Sequence, residues 1–174
     1  MKVLFLDIDG VLNSDSWYHY AKSVSSTYNT HKICDNDETD PNIIYMQRQL
    51  DDRSCMCLLD IIKNTDCKVV LSSSWKSHIP NENKRLAREI SKKMGNIAFD
   101  FLDITPITLH RHRGNEICEW LHNNSAKYDI ERFCILDDDD FDIQPELNDN
   151  FVHVDRNFGL TYIDVNKAID ILNK

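Results

Sequence analysis

The chain has 174 residues, of which 41% are hydrophobic and 28% charged, with only 4 Gly and 4 Pro. Such proportions belong to a soluble globular protein rather than a disordered or low-complexity chain, and the length suits one domain, residues 1–174, with a single sizeable core. The net charge of −9 disfavours a strong, sequence-independent grip on a nucleic-acid backbone, which needs many cations on phosphates.

No apolar run approaches the roughly 20 residues of a membrane span. The N-terminus enters an apolar run at Lys2 without a basic segment and long apolar stretch before it, so the expected location is the cytoplasm, with no membrane partner. Cys34, Cys55, Cys57, Cys67, Cys118 and Cys134 lack CxxC spacing and fall mostly inside apolar patterns. They read as small buried thiols rather than disulfides or a zinc site.

Lys2 to Leu6 is a short apolar run ending in Asp7, and the turn signal Asp9-Gly10 follows, which predicts a strand and then a loop. Asn13 to Pro41 is rich in Ser, Thr, Asn and Asp without a clean period, so residues 13–51 are expected to hold an irregular insertion. Asp52 is placed to cap a helix from Arg53 to Asn64, with Cys55, Leu58, Leu59 and Ile62 at helical spacing. A strand from Lys68 to Leu71 comes next, then a helix from Asn81 to Met94 with Leu86, Ile90 and Met94 on one face and Gly95 as its stop. Ile97 to Leu102 is a further short apolar stretch.

Asn115 to His122 reads as a helix with Ile117, Cys118 and Leu121 inward, and Phe133 to Leu136 as a strand delivering four aspartates. Phe151 to Val154 is another strand, and Asp164 to Leu172 a closing helix with Val165, Ala168, Ile169 and Leu172 inward. Strands alternating with helices predict an α/β fold, a three-layer sandwich about a parallel sheet.

In such sheets ligands bind beyond the carboxyl ends of the strands. Three of those ends are chemically unusual: Asp7-Ile8-Asp9-Gly10, Ser72-Ser73-Ser74 and Asp137-Asp138; His110-Arg111-His112-Arg113 lies ahead of a helix between the last two. Converging carboxylates suit a hard cation such as Mg²⁺. A hydroxyl, backbone amides and a cation can neutralise phosphoryl oxygens, and a carboxylate beside a metal can attack phosphorus.

The strings FLDIDGVL, VVLSSSW, the basic HRHRG and ILDDDD, in that order and at strand ends, resemble the four motifs of the haloacid dehalogenase (HAD) superfamily. DxDGVLN, SSSW, RGNEICEWL and a late FGLT are closer still to its cap-poor members, including the phosphatase-like domains of RNA repair proteins. The resemblance implies a Rossmann-like HAD fold with a minimal cap, and a Mg²⁺-dependent phosphate monoester hydrolase working through an aspartyl phosphate. Its substrate would be a phosphorylated compound, in particular a nucleotide or a nucleic-acid end.

By the same resemblance Asp7 is the nucleophile and Asp9 the general acid and base, with the Asp9 backbone carbonyl also on the metal; Gly10 allows the tight turn and stands by the phosphate. Ser73, chosen on the position of Trp75, is the phosphate-binding hydroxyl, with Ser74 beside it, although counting from the end of the apolar run gives Ser72. The third-motif cation is Arg113, with Arg111 and Lys76 as alternatives. Asp138 is the fourth-motif metal ligand, Asp137 its neighbour, and Asp139, Asp140 and Asp142 are expected to be exposed. A serine triplet is otherwise an ordinary cap or turn, and a basic or acidic run an ordinary solvated face.

Other readings fit less well. A calcium loop counted from Asp137 meets Asp142 where Gly is required and Asn148 where Glu is. A receiver-like phospho-aspartate module would carry its acidic pair on the first strand and its acceptor later, the reverse of this order. A silent binding domain on the same scaffold has no support in the motifs. His19, His31, His122 and His153 lack paired ligand spacing and are left outside the site.

Overall fold

The computed structural model describes residues 1–27, 45–46, 49–77, 80–108, 112–141, 143 and 145–174. Five parallel strands form one sheet in the order β3-β2-β1-β4-β5, from β1 (Lys2–Leu6), β2 (Lys68–Leu71), β3 (Asp103–Ile104), β4 (Arg132–Asp137) and β5 (Phe151–His153). Strand β1 is central, and its register sets Leu6 beside Leu71 on one flank and Leu136 on the other. Asp7 therefore emerges level with Ser72 and Asp137. The chain builds outward from β1 to β3, then returns to β4 on the opposite side, so the strand order reverses beside β1. A crevice at such a reversal is where open α/β sheets bind ligands.

Alternation along β1 divides the core. Leu4 and Leu6 face a cluster built with α2 (Asp52–Thr65), α3 (Pro80–Lys93) and α5 (Tyr162–Asn173), through Leu58, Ile61, Leu86, Ile90, Val165 and Leu172. Val3 and Phe5 face the other way, against Ile117 and Trp120 of α4 (Arg113–Tyr128) and Leu147 of the 3-10 turn Pro145–Asn150. Trp120 meets Phe5 edge-on at 5.3 Å between ring centroids, and its indole N–H donates to Asp103 Oδ2 at 2.9 Å. That bond gives a buried tryptophan the polar partner it needs and pins α4 to the strand at the sheet's far edge.

Several boundaries differ from the sequence expectations. The start of the segment read as irregular is helical: α1 (Asp15–Thr27) buries Trp17 and Ala21, one turn apart, and Ser14 Oγ accepts the Trp17 amide at 3.1 Å. Trp17, Ala21 and Val24 fall at helical spacing, but the Ser-, Thr-, Asn- and Asp-rich stretch they open obscures the period. The cap of α2 is Asp51, not Asp52; its side chain accepts the Arg53 amide at 2.9 Å, and the left-handed Asp66 ends the helix. Helix α4 runs from Arg113 to Tyr128, beyond the Asn115 to His122 expected, because its last turns pack Tyr128 on Trp120. Cys55, Cys67 and Cys134 are buried thiols as expected, and burial pushes each upward in pKa; Cys57 and Cys118 are partly buried and in no disulfide, and Cys34 lies outside the described residues. No helix among the described residues is long and apolar enough to cross a membrane.

Candidate active site

Asp7 leaves the end of β1 with its amide still bonded to the Leu136 carbonyl at 3.0 Å, so its backbone is fixed by β4. Its side chain is 5% exposed, and Oδ1 accepts no hydrogen bond among the described residues. Burial raises its pKa; Arg113, the Ser73 hydroxyl and the Ile8 amide oppose this in that order. Asp137, level with it on β4, is raised too, by burial first and then by Asp7, again against Arg113. Carboxylate oxygens of Asp7, Asp137 and Asp138 lie within 4.8 Å of one another.

Arg113, the first residue of α4, reaches between these acids. Its Nε is 3.2 Å from Asp137 Oδ2 and its Nη2 3.6 Å from Asp7 Oδ1. One guanidinium shared by two buried carboxylates leaves net negative charge, with Asp138 alongside. Three converging carboxylates with one orphaned oxygen are a donor set that suits a hard divalent cation such as Mg²⁺. The residues fit the ion.

Gly10 makes the approach of Asp138 possible. Its φ is +71°, and a Cβ built there would fall 2.6 Å from the Asp138 Cβ and nearer still to its carboxyl group. Its amide donates to Asn13 Oδ1 at 2.7 Å, so what glycine supplies in this structure is conformational freedom and space rather than a phosphate donor.

Asp9 is held apart from the acid cluster. Oδ1 accepts the Trp75 indole N–H at 2.9 Å and the Asn13 side-chain amide at 3.0 Å, while Oδ2 accepts the Ser74 hydroxyl at 3.1 Å. Ser73 is fully buried, and its Oγ accepts the amides of Ile8 and Trp75, each at 3.3 Å. The Ser72 hydroxyl, by contrast, is buried without a hydrogen-bond partner among the described residues. Of the two serines left open by counting, the Ser73 hydroxyl is the one that opposes the effect of burial on the Asp7 pKa.

The alternative cations separate clearly. Lys76 turns from the acids to ion-pair with Glu116, and also donates to Thr105 Oγ1 at 2.9 Å and the Pro106 carbonyl at 3.0 Å. All three of its donors are thereby used. Burial lowers its pKa against the opposing pull of Glu116. Arg111 and His110 lie outside the described residues, as does Asp142; Asp139 and Asp140 are exposed. A pocket of about 270 Å³ is lined by Ser73, Ser74, Lys76, Ile107, Arg113 and Glu116, and Arg113 of this lining also pairs with Asp7.

Two residues at this centre are not among those the sequence points to: His153, left outside the site for want of paired ligand spacing, and Arg156. His153 Nε2 lies 2.9 Å from the Asp138 carbonyl oxygen, and Arg156 Nη1 is 3.3 Å from Asp138 Oδ2. His153 has no motif around it, and Arg156 lies two residues before the FGLT string without belonging to it. Their position follows only from β5 pairing with β4, which sets His153 beside Asp137.

A parallel sheet whose central strand ends in Asp-x-Asp, met by a serine on one flank and an aspartate pair on the other, defines an α/β domain of the HAD type. The chain belongs to the family described as the HAD domain in Swiss Army Knife RNA repair proteins, which it matches over residues 3–165. That membership sets it among HAD-type hydrolases and phosphatases in general. No curated protein matches the chain, and no solved structure does.

Proposed function

We propose that the protein hydrolyses phosphate monoesters with Mg²⁺ through a phosphorylated Asp7, and that its substrates are nucleotides or nucleic-acid ends. The observation that carries this reading is Asp7 itself: a buried carboxylate with one oxygen free of hydrogen bonds, flanked by a hydroxyl, a guanidinium and two further carboxylates.

Asp7, Asp137 and Asp138 would hold the cation by side-chain oxygens and Asp9 by its carbonyl. When bound, Mg²⁺ supplies neutralisation of phosphoryl charge and of the acid cluster. Arg113 and the Ser73 hydroxyl would take phosphoryl oxygens in the pocket that both residues line, with Ser74 on the same wall. In the first step an Asp7 oxygen bonds to phosphorus and the bond to the leaving oxygen breaks, with Asp9 giving that oxygen its proton. In the second a water gives its proton to Asp9, its oxygen bonds to phosphorus, and the bond to Asp7 breaks to release phosphate.

Asp9 is arranged for both roles. Two groups that can only donate, the Trp75 indole and the Asn13 amide, occupy Oδ1, so the exchangeable proton belongs on Oδ2. There the Ser74 hydroxyl can donate to a carboxylate or accept from a carboxylic acid. General acid–base help of this kind is worth roughly 10² to 10⁴ in rate.

The family description motivates the nucleic-acid substrate. The test is one screen, with Mg²⁺ and with chelator, of an aryl phosphate, nucleoside monophosphates, 3′- and 5′-phosphorylated oligonucleotides and sugar phosphates. Phosphate release that stops on chelation, with nucleotides or oligonucleotides preferred, is expected. Metal-independent release would overturn the mechanism, and sugar phosphates cleaved far better than every nucleotide would overturn the substrate.

A further inference from the structure

Two phenylalanines in the segments that follow β4 and β5 have their rings in water, Phe141 at 89% and Phe158 at 64% exposed. Phe141 follows Asp138 by three positions, in the loop after β4. Phe158 follows Arg156 by two, in the turn after β5. Arg156 joins the loop and the turn, pairing with Asp138 at 3.3 Å and with Asp15 at 3.6 Å while its side chain remains 63% exposed.

The turn is built rigidly. Asp155 takes the amides of Phe158 and Gly159 on its carbonyl and that of Asn157 on its side chain, each at 2.9 Å. Its carbonyls then cap the start of α1, where Asp15 and Ser16 donate to Arg156 and Asn157 at 3.1 and 3.2 Å. Gly159, at φ +70°, lies so close to Ser54 and Val11 that a Cβ would sit 2.9 Å from Ser54 Oγ. The backbone is therefore fixed while the Arg156 and Phe158 side chains face outward.

Charge identifies the occupant. On a chain of net −9 an anionic strand can approach only where a cation is available. Among the described residues three cations are tied into the centre: Arg113 is shared by Asp7 and Asp137, Lys76 is consumed by Glu116, and Arg156 is exposed at the mouth. Exposed ion pairs such as those of Arg156 are weak, so its guanidinium can exchange a carboxylate for a phosphate, which it fits in a two-pronged geometry. Flat apolar rings beside a phosphate-binding cation are the combination that seats single-stranded nucleic acid.

We propose that Arg156 binds the phosphodiester next to the scissile phosphate, and that Phe158 and Phe141 stack the adjoining bases. This rests on the phosphatase reading and narrows its substrate to a short single strand carrying a terminal phosphate.

The test compares kcat/KM for a terminally phosphorylated tetranucleotide and for the corresponding mononucleotide in the parent, Arg156→Gln and Phe158→Ala. It adds a salt titration of tetranucleotide binding to Asp7→Asn, with and without Arg156→Gln. Each rim substitution should lower the tetranucleotide value about tenfold more than the mononucleotide value, through KM. Arg156→Gln should also flatten the salt slope by roughly 0.7, the share of one phosphate on a single strand. Equal losses on both substrates, no loss on either, or a phosphopeptide of equal charge competing as well as the strand would overturn the proposal. If no phosphate ester is turned over, the phosphatase reading fails separately, and the salt slope still decides the rim: an unchanged slope refutes it.

Discussion

Gly10 and Asp138 fit together as backbone and side chain of one site, since any side chain at residue 10 would occupy the space that the Asp138 carboxyl group fills. Gly10→Ala should therefore do more than strain a left-handed residue, which costs about 1–2 kcal/mol. It should displace Asp138 and raise the Mg²⁺ concentration needed for half-maximal activity. Thermal melts and a Mg²⁺ titration of activity check this; a variant that loses stability with unchanged Mg²⁺ dependence would limit the contact to packing.

The acidic run after β4 should divide sharply. Asp138→Ala should raise the Mg²⁺ concentration needed for half-maximal activity by about tenfold or more, whereas Asp140→Ala, exposed and outside the cluster, should leave it within about twofold. Activity measured against Mg²⁺ for both variants decides it, and equal effects would mean the metal sits elsewhere.

Asp7 and Asp137 are raised from 3.8 to about 6 and about 8, so in the metal-free protein they retain protons that the unfolded chain has lost. Stability contributed by these sites is intact below about pH 4 and falls as pH rises through about 8. Melting temperatures in chelator should thus decline over that window more steeply than those of Asp137→Asn, in which one of the acids cannot ionise. Mg²⁺ should restore more stability at pH 8 than at pH 5. An identical pH profile for parent and variant would contradict the charge arrangement.

Lys76 and Glu116 form a pair with side chains only 6% and 4% exposed, linking the serine loop to the first turn of α4. Removing one partner leaves a buried charge without compensation. Lys76→Met or Glu116→Leu alone should cost about 3–5 kcal/mol, and the double variant should recover much of that. Urea unfolding of the full cycle measures it; additive losses would show that the two groups do not act on each other.

How much of this was legible in the sequence depends on the range of the contacts involved. Asp7, Asp9, Ser73, Asp137 and Asp138 each stand at or just beyond the end of an apolar run, so strand signals alone set them at one edge of a parallel sheet. The sheet and most helices followed from the same periodicities, while α1 did not, because its spacing of Trp17, Ala21 and Val24 opens a long polar stretch without a clean period. The Asp9–Trp75 hydrogen bond spans 66 positions and the Lys76–Glu116 pair 40, and neither has a local pattern. Arg156 sits by Asp138 only because β5 pairs with β4, which no residue near Arg156 announces.

The phosphorylated aspartate is the claim on which the rest turns, and peptide mapping after rapid acid quench of the enzyme with a phosphate-labelled substrate tests it most directly. The label should appear on the peptide containing Asp7, be lost on treatment with hydroxylamine as an acyl phosphate is, and be absent from Asp7→Asn, which should also lack turnover. Label on any other residue, or an Asp7→Asn protein as active as the parent, would contradict the assignment of Asp7 as the nucleophile.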